Sequence, residues 1–418
     1  MTGNRQVVFA LMASEIVSLA GTRLSMVAIP WLVLTTTGDP LLTGVAAFAE
    51  MLPYVIAKAL SGPLIDRLGA RPIAVAGDLL AMVAIALVPL LNAVGLLSFP
   101  VLLLVVVILG ALRGPADAAK ISLVPQVARH VGLPLERVTG LRTTIERLAA
   151  TIGAAAAGAT VAGLGAAPAM TVTVVTFGLS AAIVGLGLSR LPRISAAQPA
   201  PRQPYLRELG DGWTFFRRDA VLVGIVLMVA ATNLLDQAYG GVLLPVWANS
   251  AGGATLLGLV LATFSAGSVA GAALATGLAE RLPRLAVYTI AFFVAGAPRF
   301  FVFALGLPDA AIFAVVAAGG FASGFLNPII GAVMFERIPA PLVGRVSALV
   351  DALCWTLIPF GGLVGGAAVT LIGLPLTFLI FGVAYFAATM LPLAMKSFRE
   401  FAIRADPAET VPSPRQDP

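Results

Sequence analysis

Residues 61–72 read SGPLIDRLGARP and place three charged side chains, Asp66, Arg67 and Arg71, between two long apolar runs. The two glycines of this stretch allow a tight turn between the ends of two helices. A weaker copy, ATGLAERLPRLA, occurs at residues 275–286 in the second half of the chain. A charged turn that occurs twice between apolar segments predicts a membrane protein built from two related halves.

The composition is that of an integral membrane protein. Of the 418 residues, 59% are hydrophobic and 11% are charged, whereas soluble domains carry about 25% charged residues. A helix needs about 20 mostly apolar residues to cross a bilayer, and the chain contains such stretches one after another. The first is too long for a signal peptide and lacks an A-x-A site, so we expect it to be retained as the first span.

Turn-forming links divide the apolar sequence into twelve predicted spans. Examples are TTTGDP at residues 35–40, NSAGG at 249–253 and GLPD at 306–309. The predicted fold class is therefore an all-α integral membrane protein with twelve transmembrane helices. Spans 1 to 12 are predicted at residues 7–34, 41–63, 72–95, 98–118, 138–164, 168–190, 219–248, 254–279, 285–306, 308–335, 344–372 and 374–395.

The basic residues predict the orientation. If both termini are cytoplasmic, none of the 26 Lys and Arg residues lies in an outer loop, as the positive-inside rule requires. Attraction to anionic membrane lipids of the inner leaflet accounts for the net charge of +6, so we expect no nucleic-acid partner. About 21 basic residues lie in cytoplasmic segments or at their edges, and the five inside the predicted spans are Arg23, Lys58, Arg113, Arg147 and Arg299.

The residue inventory argues against several kinds of chemistry. Cys354 is the only cysteine, so no internal disulfide can form, and His130 is the only histidine, which argues against a histidine-based zinc site. No lysine lies in a G-x-x-x-x-G-K-[ST] phosphate loop. We expect no enzymatic activity, no metal and no cofactor. We interpret Cys354 as a packing residue and His130 as a solvated residue in the loop after span 4.

The two halves of the chain agree at glycine and charged positions in both early and late spans. Six spans repeated in parallel predict two pseudo-symmetric bundles related by an axis along the membrane normal, the plan in which one bundle rocks against the other. The matched pairs are, at a shift of 214 residues, Gly44 with Gly258, Asp66 with Glu280 and Arg67 with Arg281, and, at a shift of 208, Gly158 with Gly366 and Gly165 with Gly373.

Four segments follow from this division. The linker between the bundles begins rich in Pro and Ala, and its second part is predicted to form an amphipathic helix with three aromatic side chains at the membrane interface. The segments are an N-terminal six-helix bundle at residues 1–190, a cytoplasmic linker at 191–218, a C-terminal six-helix bundle at 219–396 and a cytoplasmic tail at 397–418.

The stretch at residues 61–72 resembles the signature loop between spans 2 and 3 of the major facilitator superfamily, G-x-x-x-D-R-x-G-x-[RK]. The resemblance implies a conformational latch in which Asp66 faces the N-terminus of span 11 when the inner side is closed. Asp117, at the inner end of span 4, is a candidate partner for Arg67 or Arg71. A solvated turn shaped only by membrane topology is the alternative. The matching residues are Gly62, Asp66, Arg67, Gly69 and Arg71.

Three further stretches, at residues 28–45, 122–141 and 206–219, resemble the drug:proton antiporter branch of macrolide-efflux-type and Tap-like multidrug exporters. This resemblance implies a monomeric secondary transporter of the bacterial plasma membrane. It implies efflux of amphiphilic or cationic small molecules, driven by the proton gradient through rocker-switch alternating access. An exporter or flippase of a defined metabolite, siderophore or lysophospholipid on the same fold is the alternative. A membrane-embedded enzyme or sensor is a further one.

Span 5 departs from the pattern of that branch. It carries Gly153, Gly158 and Gly163, but no proline stands beside them as in the glycine motif of such exporters. Small residues let helices approach closely, and close packing of spans 5 and 8 is the alternative interpretation of these three glycines.

Charged side chains inside the predicted spans are the candidates for proton coupling. A charge at the bilayer centre costs at least about 2.5–3.5 kcal/mol and marks a pathway or a pair. Because their predicted depths are similar, we expect Arg23 to pair with Glu50 or with Asp236. We further predict that Glu15, Glu50 and Asp236 include the proton-coupling group, with fixed structural ion pairs as the alternative. The full set is Glu15, Arg23, Glu50, Arg113, Glu146, Asp236 and Arg299.

The resemblance also implies that spans 1, 4, 7 and 10 line a central cavity. Aromatic rings with a few carboxylates suit a bulky lipophilic or cationic molecule, through stacking and cation–π contact, and ordinary packing of aromatic side chains is the alternative. The candidate substrate contacts are Trp31, Asn233, Gln237, Tyr239, Phe321, Phe325 and Asn327.

Overall fold

The computed structural model describes most of the chain as helix joined by short links, with no strand in the described part. The predicted tail, the first half of the linker and the second-half charges Glu280 and Arg281 lie outside the described residues, as do the side chains of Arg147 and Asn327. The described ranges are 2–189, 205–278, 283–339 and 342–394.

The first half of the chain forms six long helices that correspond to spans 1 to 6, with a short helix after span 2. A π-helical turn continues span 6. The bounds are Thr2–Thr37, Pro40–Leu60, Gly62–Leu68 for the short helix, Ala70–Ala93, Phe99–Val131, Leu135–Leu164 and Ala166–Ala182, followed by π-helical Ile183–Gly187.

The second half begins with a helix in the linker and continues with spans 7 to 12. Spans 7, 9 and 11 are each interrupted. The bounds are Tyr205–Arg218 for the linker helix, Ala220–Ala238, π-helical Tyr239–Leu243 and Leu244–Ala251 for span 7, Gly253–Leu278 for span 8, Arg284–Ala295 and Pro298–Ala304 for span 9, Asp309–Arg337 for span 10, Val343–Trp355 and Ile358–Ile372 for span 11, and Leu374–Ala394 for span 12.

The predicted all-α membrane architecture is confirmed. Among the described residues, eleven helical stretches are long and apolar enough to cross a membrane, and span 12 contributes a shorter apolar stretch, Leu374–Met390. Many large apolar side chains, such as Leu186 and Leu371, remain exposed. Such a surface fits a lipid environment rather than water.

Span 4 differs from its prediction, because its helix runs on to Val131 instead of ending near residue 118. The added turns bury Leu123, Val124 and Val127 against the inner part of span 1, so the amphipathic pattern continues past the apolar core of the span. Gly132 then ends the helix with a positive φ of 69°. His130 is exposed as expected, but it belongs to the last helical turn and not to a loop.

The signature stretch is also more ordered than predicted. Gly62–Leu68 is a helix of 7 residues rather than a tight turn, and the reversal into span 3 occurs at Gly69, whose φ is +88°. A residue other than glycine would be strained at that angle. The short helix packs mainly on spans 2, 3 and 4 of its own half, and both Asp66 and Arg67 are exposed.

The linker helix packs against the C-terminal half. Phe216 is buried among Leu222, Val226, Val346 and Val350 at the inner ends of spans 7 and 11, whereas the side chain of Trp213 is exposed. The amphipathic helix therefore lies where the sequence predicts it, with one of its aromatic side chains buried in protein rather than in the membrane interface.

The two halves are joined at the end that the basic residues assign to the outside. There a single buried apolar cluster includes residues of both halves, whereas at the inner end each half has its own cluster. The structure is thus closed on the outer side, and within the described part of the chain the signature helix packs mainly on its own half.

Glycines make this outer closure possible. A Cβ at Gly158 of span 5 would lie 2.3 Å from the Cα of Gly258 in span 8, and one at Gly44 of span 2 would lie 2.2 Å from the carbonyl oxygen of Gly362 in span 11. The packing interpretation of the span 5 glycines is therefore right for Gly158. It is wrong for Gly153, which packs on Arg23 of span 1, and for Gly163, which has no neighbour within 4 Å.

Candidate transport site

A first buried ion pair joins spans 2 and 4. Arg113 donates to Glu50 over 3.0 Å, and both side chains are almost fully enclosed. The rings of Tyr54 and Phe177 lie 5.4 Å and 6.0 Å from the Arg113 guanidinium. The predicted pairing of Glu50 with Arg23 is therefore wrong, because span 4 and not span 1 presents its arginine to Glu50.

A second cluster joins spans 1 and 5. Arg142 donates to Glu15 over 2.9 Å and to Glu146 over 3.4 Å, so one arginine holds two of the candidate carboxylates. Arg142 was not predicted as a site residue, because it lies at the inner edge of the predicted span 5. Its spacing of four residues from Glu146 on the same helix was the available signal.

Asp117 contacts neither of its predicted partners. It accepts a hydrogen bond from the Tyr54 hydroxyl over 3.0 Å, and the ammonium group of Lys58 donates to the same hydroxyl over 3.3 Å. Arg71 instead donates to the carbonyl oxygen of Gly185 at the end of span 6, and Arg67 is exposed. Asp117 thus faces into the bundle because span 4 continues past it as a helix.

A third buried network, also missed from the sequence, connects spans 1, 3, 4 and 6. Lys120 donates to Asp78 over 2.8 Å and to Ser18 over 2.7 Å, and Ser180 donates to Asp78 over 2.6 Å. All four side chains are buried. The single aspartate within the apolar sequence of span 3 was the signal for this network.

The C-terminal half holds one arginine in an aromatic enclosure. Arg299 of span 9 pairs with Asp236 of span 7. Its guanidinium lies 4.9 Å from the ring centroid of Tyr239, 5.3 Å from that of Phe300 and 5.2 Å from that of Tyr385, distances at which aromatic rings attract a cation. The predicted pairing of Arg23 with Asp236 is therefore wrong as well.

The two partners of this pair differ in accessibility. The Asp236 side chain is 41% accessible, whereas that of Arg299 is 9% accessible. The carboxylate is therefore open to its surroundings while the guanidinium is enclosed. Glu146, in the opposite half, has the same accessible fraction of 41%.

Arg23 is left without a carboxylate. Its Nε atom is buried and has no hydrogen-bond partner among the described residues, and its Nη1 atom donates only to the sulfur of Met26 over 3.8 Å. The stem of the side chain lies against Gly153, where a Cβ would come within 2.9 Å of it.

The architecture and the buried charges agree with the comparison to known families. The family profile described as Major Facilitator Superfamily matches residues 11–252, more than half of the chain. The chain belongs to the major facilitator superfamily. This transporter is accordingly a multi-pass membrane protein and not an enzyme.

Relatives and solved structures support the assignment over nearly the whole length. The chain is 29% identical over 404 residues to the "Multidrug efflux pump Tap" of Mycobacterium tuberculosis (strain ATCC 25618 / H37Rv), with 95% of each chain covered. A crystal structure of the nucleoside transporter NupG matches with a TM-score of 0.71 at 15% identity, covering 93% of this chain and 98% of that chain. A D-xylose-proton symporter matches with a TM-score of 0.71 at 14% identity, covering 92% and 96%. The bacterial relatives support location in a bacterial plasma membrane.

The predicted cavity contacts of this superfamily member divide into two groups. Phe321 and Phe325 of span 10 contact each other with ring centroids 5.6 Å apart, and Phe321 is exposed. Gln237 and Asn233 of span 7 are half-buried, and Asn233 donates to the carbonyl oxygen of Cys354 over 3.0 Å. These side chains remain candidates for substrate contact.

Two other predicted contacts are not available to a substrate in this structure. Trp31 is 6% exposed and Tyr239 is 8% exposed. Trp31 packs in the apolar cluster shared by the two halves, and Tyr239 contacts Phe300 and Arg299. The prediction that these two residues line the open cavity is therefore wrong for the outer-closed state.

Proposed function

We propose that this protein is a proton-coupled exporter of amphiphilic or cationic small molecules that works by rocker-switch alternating access. The observation that carries the proposal is the Asp236–Arg299 pair, in which an accessible carboxylate is bound to an enclosed arginine. Export of a defined metabolite, siderophore or lysophospholipid on the same fold is the second candidate function. It is favoured by Arg23, a cation that no carboxylate binds among the described residues.

The pair supports coupling because only one of its two side chains, the Asp236 carboxylate, is accessible. The aromatic rings around Arg299 hold the guanidinium in place, while protons and ligands can reach Asp236. Protonation of Asp236 cancels its charge and removes the attraction that holds span 7 to span 9. A bound cation and a proton compete for the same carboxylate, and such competition yields antiport.

The other predicted proton carriers suit this role less well in the outer-closed state. Glu50 is enclosed with Arg113, and Glu15 is bound by Arg142 and buried. A proton from the cavity therefore meets Asp236 or Glu146 before it meets either of them. Glu50 and Glu15 fit the alternative of fixed structural pairs.

The substrate class rests on similarity and on the shape of the site. The printed name of the mycobacterial relative describes a multidrug efflux pump. In this chain, the rings of Phe321 and Phe325 lie in span 10, and rings of this kind bind lipophilic bodies and cations. A broad, aromatic surface accommodates several ligands more readily than a set of fixed hydrogen bonds does.

Replacement of Asp236 tests the coupling. In proteoliposomes, we expect Asp236→Asn to reduce ethidium flux driven by a pH gradient to below about a tenth of the wild-type rate. A side chain positioned to transfer a proton contributes about 10²-fold or more to the rate of the step it serves. Exchange of ethidium without a gradient should persist. Asp309→Asn, which changes an exposed carboxylate at the start of span 10, is the matched control. Gradient-driven flux at the wild-type rate in Asp236→Asn would rule out this carboxylate as the coupling group.

A ligand panel separates the two candidate functions. Purified protein should show thermal stabilisation with several unrelated lipophilic cations if it is a multidrug exporter, since any ligand that binds the native state stabilises it. Stabilisation by one lysophospholipid or siderophore alone would favour the second candidate.

The signature helix supplies a prediction about the inner gate. We expect Asp66→Asn to slow transport between about 2-fold and 30-fold, because a carboxylate at a helix N-terminus contributes about 0.3–2 kcal/mol and span 11 begins at Val343. Since Asp66 is exposed in the outer-closed state, membrane insertion should be unchanged. Initial rates of ethidium efflux, normalised to protein in the membrane, measure the effect. Asp66→Glu should retain most of the rate, and unchanged flux in Asp66→Asn would contradict the latch.

A further inference from the structure

Arg23 is a charge without a counter-charge at bonding distance. Its Nε atom is buried and unpartnered among the described residues, and the sulfur of Met26, at 3.8 Å from Nη1, is a weak acceptor that carries no charge. Buried charges in proteins are otherwise paired or bound to ligands. An arginine left free within a membrane span indicates a site that is completed by something other than the protein.

The carboxylates around Arg23 are already engaged. Glu146 and Asp117 are the acidic side chains that interact electrostatically with Arg23. Glu146 is bound by Arg142, and Asp117 accepts from the Tyr54 hydroxyl. They balance the charge of the region without bonding to the guanidinium, which leaves its donors free for another acceptor.

The side chain is nevertheless held in position. A Cβ at residue 153 would lie 2.9 Å from Cγ and 3.0 Å from Cβ of Arg23, so the space for the arginine stem exists only because span 5 has a glycine there. Arg23 itself is half-buried, with part of its surface accessible. The chain therefore builds a slot for an arginine whose Nε atom has no partner among the described residues.

We propose that Arg23 binds an anionic oxygen group of the transported molecule, such as a carboxylate or a phosphate. This inference rests on the proposed transport function and adds to its substrates amphiphiles whose polar end carries such a group. The planar guanidinium offers paired N–H donors that match two oxygens of one anionic group. A cationic group in the same molecule finds an accessible carboxylate in Glu146, near Arg23.

Binding of a matched pair of fluorescent probes tests the proposal. Dansylglycine carries a carboxylate, and dansylglycinamide has the same body without the charge. We expect the wild-type protein in nanodiscs to bind dansylglycine at least about tenfold more tightly than the amide, as charge-assisted hydrogen bonds imply. Arg23→Gln should abolish that preference and leave the affinity for the amide within about twofold, whereas Arg23→Lys should keep part of it.

The controls separate this site from charge in general and from proton coupling. Lys58→Gln removes a different basic residue of the N-terminal half and should preserve the preference for dansylglycine. Displacement of dansylglycine by benzoate would identify a soluble acid as the source of the anionic group, and displacement by oleoyl lysophosphatidate would identify a lipid headgroup. The assay needs no proton gradient, so a failure of proton coupling leaves its readout intact. Equal binding of both probes, binding of neither, displacement by neither competitor, or a preference that survives in Arg23→Gln would overturn the proposal.

Discussion

A valine at Gly158 is expected to lower transport at least about fivefold. The first added carbon alone would lie 2.3 Å from the Cα of Gly258, and a backbone atom cannot move aside as a flexible side chain can. Overpacking of this kind costs about 1–3 kcal/mol, which shifts a conformational equilibrium about 5- to 150-fold. The shift should favour the state in which the outer ends of spans 5 and 8 are apart, because the added bulk opposes their closure.

Spin labels at the outer ends of spans 5 and 11 measure this shift. Leu164 and Leu371 are exposed there, and Cys354 can be replaced by alanine to leave only the two labels. We expect Gly158→Val to populate longer distances between the labels. Gly163→Val lies on the same helix with no neighbour within 4 Å and should leave distances and transport unchanged. Wild-type distances in Gly158→Val would show that the glycine contact does not control outer closure.

Loss of Lys120 is expected to cause the largest drop in stability. In Lys120→Met the carboxylate of Asp78 would keep its bond to Ser180 but lose the lysine that now lies 2.8 Å away. Removing one partner of a buried ion pair costs about 3–5 kcal/mol, because the remaining charge is left uncompensated. Unfolding of the purified protein in a mixed SDS micelle titration measures the loss.

A double variant distinguishes an unpaired charge from lost packing. Asp78→Asn combined with Lys120→Met removes both charges and should recover more than half of the lost stability, since neutral replacement of both partners is often tolerated. Arg217→Met, at an exposed position of the linker helix, should leave the SDS midpoint unchanged. A double variant as unstable as Lys120→Met would mean that the methionine, and not the charge left on Asp78, disrupts the bundle.

Most of the topology could be predicted, because each span depends on local composition. Apolar length and the placement of basic residues require no knowledge of neighbouring helices. The prediction failed at the end of span 4, where the helix continues with an amphipathic sequence instead of an apolar one. Span 4 continues to Val131 because one face of the added turns packs on span 1, and no apolar run marks that extension.

The partners of the buried charges could not be predicted. Depth in the membrane can be read by counting residues along a span, and it placed Arg23, Glu50 and Asp236 at similar levels. Each helical residue, however, turns the side-chain direction by about 100°, so the neighbour that a charge meets depends on how every helix is rotated. Rotation brought Arg113 to Glu50 and Arg299 to Asp236, and left Arg23 without a bonded carboxylate among the described residues.

By itself the sequence determined that this chain crosses the membrane repeatedly, and it predicted two related halves with the signature stretch on the cytoplasmic side. These properties depend on the composition of each segment alone, because the bilayer acts on each segment separately. Only the tertiary structure decided which charges are enclosed, which carboxylates remain accessible and which glycines bring the halves together. Those properties depend on helix rotation and on close packing between segments distant in sequence, which no single segment encodes.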